Sequence, residues 1–176
     1  MSIPIDGRLM NVPDFERYAM SCSAGLTDLR TVIIHHTAKP DEATWMKWGG
    51  WGYWKNALKR FYESKGWDKG PHLFVGPDGI GLFCDLTQCG RAVGGDFWER
   101  GVRHIEIVGN FNAALPIGAT LVNATSAAAS LLRAAGLTTN DMAHHTACVG
   151  RGVTDCPGIK LIQNWGWFRV QVGARL

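Results

Sequence analysis

Short apolar runs rich in β-branched residues alternate along this chain with longer stretches of helical period, and that alternation limits the possible folds more than any other feature. Thr31-Val32-Ile33-Ile34 reads as a buried strand that ends in His35 and His36 before the Lys39-Pro40 turn. From Gly52 to Lys65 apolar residues recur at Trp54, Leu58, Phe61 and Tyr62 with Lys55, Lys59, Arg60 and Glu63 between them. That spacing predicts a helix closed by Gly66. His72 to Val75 and Gly79 to Cys84 predict two strands joined by the turn Gly76-Pro77-Asp78-Gly79. A strand over His104 to Val108 follows, then an alanine-rich helix from Thr120 to Ala135 stopped by Gly136. A short strand over Met142 to His145 comes next. The last helix starts at Pro157, a favourable first helical position, and carries Leu161, Ile162, Trp165 and Phe168. The order predicts an α/β fold, a single domain with a central mixed β-sheet flanked by helices over residues 31–176. Residues 1–30 are read as an N-terminal extension packed on that domain.

Composition narrows the function. A chain of 176 residues suits one core, and 46% hydrophobic with 19% charged residues describes a globular domain. The formal charge of +3 is spread along the chain and too weak to imply a nucleic-acid partner. No apolar run approaches the ~18 residues of a membrane span. The stretch MSIPIDGRLMNVPDFERY lacks the basic head and apolar core of a secretory signal, so cytoplasmic synthesis is expected. Five cysteines, an odd number at irregular spacing, argue against a disulfide framework and leave a thiolate available as a ligand. Eight tryptophans include Trp45, Trp48, Trp51 and Trp54 in one short stretch, which serve either as packing or as flat walls of a groove. On the second reading Trp51 and Trp54, with Arg91 from the glycine-rich loop 86–101, are candidate substrate-binding residues.

The chemistry concentrates in two histidine pairs. His35-His36 and His144-His145 each stand at the end of an apolar strand, and Cys156 precedes the last helix. Successive strand residues point to opposite faces, so each pair sends one imidazole to a given point. Two strands and a helix entry therefore supply two histidines and one cysteine, a donor set zinc accepts while keeping a fourth position open. A closed structural site would need a fourth protein ligand, for which Cys148 is the candidate. Glu106 lies between Ile105 and Ile107, where partial burial raises a carboxyl pKa toward the range of a general base.

The segments VIIHHTA (32–38), GPHLFVGPDG (70–79), IEIVGNF (105–111) and TDCPG (154–158) together resemble the zinc-dependent N-acetylmuramoyl-L-alanine amidases. That family includes phage endolysins, cytoplasmic muropeptide-recycling amidases and animal peptidoglycan-recognition proteins. The resemblance implies hydrolysis of the amide between N-acetylmuramic acid and L-alanine of peptidoglycan, with Zn2+ as cofactor. It implies His35 and Cys156 as metal ligands. The remaining ligand is a histidine upstream of Cys156, assigned to His144 because Gly150-Arg151 lies six residues after it, with His145 as the alternative. It also implies Glu106 as the general base, with His72 and Thr154 as catalytic residues, His72 hydrogen-bonding the scissile carbonyl or the zinc-bound water and Thr154 donating toward the developing oxyanion. Thr154 is equally well read as a capping hydroxyl. Where many bacterial members carry Trp-His-Ala-Gly before the glutamate strand, this chain has Arg91-Ala92-Val93-Gly94-Gly95, so substrate contacts there differ. His104 falls on the same strand face as Glu106. The implied partners are peptidoglycan or soluble muropeptides, met by a monomer. The expected setting is a bacteriolytic, antimicrobial phage endolysin released by a holin; a recycling amidase and a non-catalytic peptidoglycan receptor are the alternatives.

Overall fold

The computed structural model describes residues 2–93, 100–150 and 152–176. Six strands form one mixed sheet: β1 (Leu9–Met10), β2 (Thr31–His36), β3 (Leu73–Gly76), β4 (Gly79–Leu82), β5 (Val102–Ile107) and β6 (Met142–His144), in the spatial order β1-β4-β3-β5-β2-β6. β5 runs parallel to β3 and β2, and β6 parallel to β2, whereas β3-β4 is an antiparallel hairpin with β1 on its outer edge. The parallel centre is buried on both faces, which is why these strands read as nearly continuous apolar runs.

Alternation divides the strand side chains between two cores. Val32, Ile34, Leu73, Val75, Ile105 and Ile107 face one side. There they pack with Phe15 and Ala19 of α1 (Val12–Ser21), Leu131 and Leu132 of α4 (Gly118–Ala134) and Phe168 of α7 (Trp165–Gly173). On the other side Phe74 packs with Trp51, Leu58 and Tyr62 of α3 (Gly50–Ser64) and with Trp45 of α2 (Glu42–Lys47). The site described below lies on this second face.

Residues 2–30 are built into the domain: β1 pairs with β4, and Ile3, Phe15, Ala19 and Leu26 are fully buried. α1 carries full start signals, with Asn11 accepting the Asp14 N–H and Pro13 in the first turn. The single C-terminal helix expected from Pro157 is two helices, α6 (Ile159–Gln163) and α7. Asn164 divides them, its side-chain amide donating to the Lys160 carbonyl and competing with the regular ladder.

Three of the four tryptophans in the run pack, and Trp48 is exposed. Trp45 and Trp51 are 1% and 2% exposed, and Trp54 stacks on Trp45 with centroids 5.8 Å apart. Their indole N–H groups are bound internally: Trp51 to the Gly7 carbonyl, Trp54 to the Trp45 carbonyl and Trp45 to Asp78. Asp78, in the β3-β4 turn, accepts from Trp45 Nε1 at 2.8 Å through one oxygen and from the Trp51 backbone N–H at 2.7 Å through the other. It thereby joins hairpin, α2 and the first turn of α3, where a negative charge suits the helix dipole. Asp78→Ala strands a buried indole N–H and a helix-start N–H. Urea unfolding is expected to show a loss of about 2–4 kcal/mol, and an unchanged midpoint would remove the carboxylate from this role.

Candidate active site

Sheet register assembles the site. His35 is paired with Glu106 on β5, which is paired in turn with Phe74 on β3, so the three side chains stand in a row on the α3 face. On the other flank of β2, Ile34 pairs with His144. His144 therefore shares the face of Ile34, away from His35, and its ring packs edge-on against Trp165 at 5.1 Å. Its Nδ1 accepts the Ala147 N–H, capping α5 (His145–Val149). The next residue, His145, comes to the His35 side. Alternation thus delivers one imidazole from each pair, as expected, but from the second pair it is His145 that reaches the cluster, where the sequence assignment was His144.

His35, His145 and Cys156 bring their ligand atoms within 4.8 Å of one another. His35 Nδ1 lies 3.2 Å from His145 Nδ1 and 3.7 Å from Cys156 Sγ. Nitrogen ligands of a tetrahedral zinc ion are separated by about 3.3 Å, and a nitrogen and a sulfur by about 3.6 Å, from the usual bond lengths. Burial holds both imidazoles below their usual pKa, His35 strongly so with His104 adding to the effect, which leaves them neutral with lone pairs available. Burial and the Glu106 carboxylate push the Cys156 thiol far up, while the His36 N–H, 3.4 Å from the sulfur, acts in the opposite sense. A thiol so placed ionises only beside a cation, so the donor set fits a metal ion. Cys148 is outside the cluster, its Sγ directed at the His144 carbonyl. Among the described residues the group has three members, the number that leaves a position for water or substrate.

The neighbouring histidines orient this cluster. His35 Nε2 is 3.2 Å from His104 Nδ1, an arrangement that fixes the ring with Nδ1 toward Cys156 and His145. His72 is fully buried behind it. The His104 N–H donates to His72 Nδ1, so His72 carries its proton on Nε2, which meets the Gln88 carbonyl at 3.1 Å. Both ring nitrogens of His72 are committed to the backbone, and it does not line the cavity into which the cluster opens. His72 is in place to hold the strands and not to touch a substrate carbonyl.

That cavity, of about 250 Å³, is lined by His35, His145 and Cys156, by Glu106 and Thr154, and by Phe61, Tyr62, Lys65, Trp67 and Phe74. Glu106 is 9% exposed, and among the described residues no donor hydrogen-bonds its carboxylate. Burial raises its pKa to about 8, against a weaker opposing pull from Lys65. Thr154 Oγ1 accepts the Cys156 N–H at 3.1 Å, which keeps its hydroxyl hydrogen for another acceptor. Helix α6 is instead preceded by Gly158, so Thr154 caps no helix. The aromatic walls come from the far end of α3 and from Trp67, and neither Trp51 nor Trp54 lines the cavity. Arg91 stands beyond Trp67, its guanidinium 5.7 Å from that ring and 3.9 Å from Asp68. Of the loop 86–101, residues 94–99 lie outside the described residues, as does Arg151 of the Gly150-Arg151 marker.

The His-His-Cys cluster stands on one face of this sheet, with His35 at the end of the central strand β2, His145 just past the edge strand β6 and Cys156 in the segment before α6, and the fold is that of amidases and peptidoglycan-recognition proteins. Residues 25–159 match the family described as N-acetylmuramoyl-L-alanine amidase, and the chain belongs to that family. Solved structures agree on the fold. The N-acetylmuramoyl-L-alanine amidase LysC from Clostridium intestinale URNW is 18% identical with a TM-score of 0.60, covering 76% of this chain and 79% of its own. A mutant endolysin from Bacillus subtilis is 21% identical with a TM-score of 0.60, covering 83% and 86%. Drosophila PGRP-LB is 20% identical with a TM-score of 0.64, covering 79% and 81%. A search of curated protein sequences returns no match. Among the described residues no helix is long and apolar enough to cross a membrane.

Proposed function

We propose that the chain is a zinc-dependent amidase that cleaves the bond between N-acetylmuramic acid and L-alanine in peptidoglycan, acting as a phage-type endolysin. The observation that carries this reading is the juxtaposition of three metal donors, His35, His145 and Cys156, with the buried carboxyl of Glu106 in one cavity. Zinc bound by those three side chains supplies Lewis acidity and lowers the pKa of water toward neutrality. Glu106 accepts the proton of the attacking water as the new C–O bond forms. It then returns that proton to the departing L-alanine nitrogen as the C–N bond breaks. The Thr154 hydroxyl donates to the carbonyl oxygen as negative charge builds there. His104 holds His35 in the tautomer and orientation that ligation requires. The amidase and endolysin relatives support the wall substrate, and the recognition proteins of the same fold supply the competing reading of binding without cleavage.

One preparation decides between them. Metal content and newly released L-alanine amino groups are measured on purified peptidoglycan for wild type and Cys156→Ala. The expected result is about one zinc per chain with amine release for wild type, and loss of both in the variant. A zinc-loaded wild type that binds wall yet frees no amine would overturn the amidase and leave a receptor.

A further inference from the structure

Lys65 ends α3 at the rim of the cavity that holds the metal donors. Its ammonium lies over three aromatic rings, 4.2 Å from the centroid of Phe61, 5.3 Å from that of Trp67 and 5.9 Å from that of Tyr62. Cation–π attraction of this kind fixes a long, flexible side chain without neutralising it. Among the described residues no aspartate or glutamate is within ion-pair distance of Lys65. Arg91, on the other contact to Trp67, differs in having Asp68 beside it. Lys65 is exposed and lines the cavity, and its charge acts on the Glu106 carboxyl against the effect of burial. A held, uncompensated cation on the wall of a substrate cavity is a binding group for an anion. Among the described residues the cavity lining holds no arginine, and a single ammonium suits one carboxylate better than a phosphate.

We infer that Lys65 forms a subsite for a carboxylate of the substrate's stem peptide. The inference rests on the amidase reading, which identifies the peptide as the leaving side. The first carboxylate on that side belongs to the residue after L-alanine, a group that bacterial walls carry either free or as the amide. Lys65 therefore makes the chain selective for the free acid. Phe61 and Trp67 hold the ammonium in place, so little side-chain freedom is lost when the anion arrives.

The test uses two soluble muropeptides that differ only in carboxylate or carboxamide at that second residue. The wild-type chain is expected to show a KM about fivefold lower for the acid, the scale of a partly exposed ion pair, and to lose that preference in 0.5 M salt, a screening length of about 4 Å. Lys65→Met keeps the apolar stem on the aromatic rings. It is expected to raise KM for the acid about fivefold and to leave KM for the amide as it was, any change in kcat from the lost pull on Glu106 being common to both substrates, and Lys65→Arg is expected to restore the preference. Equal rises in KM for both substrates, or no discrimination by wild type, would overturn the subsite. If wild type cleaves neither compound the amidase reading fails, and the subsite is then judged by calorimetric affinities, which must show the same acid preference.

Discussion

His145→Ala is expected to strip the chain of zinc and reduce amidase activity by at least about a thousandfold, while His144→Ala keeps its zinc and most of its activity. The two adjacent histidines are separated by strand pleat. Ile34 pairs with His144, and the face of Ile34 is the core under α1 and α4. The following residue emerges on the face of His35 and places its Nδ1 at 3.2 Å. With one of three donors gone, the remaining imidazole and thiol cannot hold the ion against solvent, and the open-site geometry is lost with it. His144→Ala instead removes the cap of α5 and an edge-on contact with Trp165. Its cost is stability, about 1–2 kcal/mol. Metal analysis of the two purified variants beside a denaturation curve separates the cases. Zinc lost from His144→Ala and kept by His145→Ala would reverse the assignment.

This pair shows what the sequence carries and where it stops. Alternation predicts that each histidine pair contributes one member, and the parity of a three-residue strand decides which. That parity depends on register with β2, a tertiary property. The long elements were legible because their periods were clean: α3 and α4 fall within two residues of the predicted bounds. β1, two residues long, has no period to read, and its place follows only from pairing with β4. α1 has a readable start in Asn11 and Pro13, a local signal that says nothing of where the helix packs. Trp51 and Trp54 misled for another reason. Aromatic density marks burial and groove alike, and position along α3 decides between them: Trp51 and Trp54, near its start, stack with Trp45, while Leu58, Phe61 and Tyr62 further along line the cavity. His72 matched a motif position, yet its two nitrogens are consumed by backbone groups that no linear spacing reveals.

Glu106→Gln is expected to lower kcat by about a hundredfold to ten-thousandfold with zinc content unchanged, and to make the metal-free chain more stable. The first effect follows from loss of the proton acceptor, since Glu106 lines the cavity but is no member of the three-donor cluster. The second follows from burial, which raises its carboxyl from 4.5 to about 8. Below pH 4.5 both folded and unfolded chains carry the proton, and the group costs nothing. As pH rises from 4.5 to about 8 the unfolded chain releases the proton and the folded chain retains it, so stability falls across that window and levels off above it. The penalty at the alkaline end is a few kcal/mol, and the glutamine variant escapes it, so the two chains should unfold alike at low pH and diverge as pH rises. Bound zinc opposes the effect by favouring the carboxylate. The gap between the chains should accordingly narrow in the metal-loaded protein, where the base is needed in its ionised form. Denaturation midpoints of both chains across that pH range, with and without metal, test the argument. A gap independent of pH in the metal-free protein would show that Glu106 is not held protonated by burial, and full activity in the variant would remove it as the base.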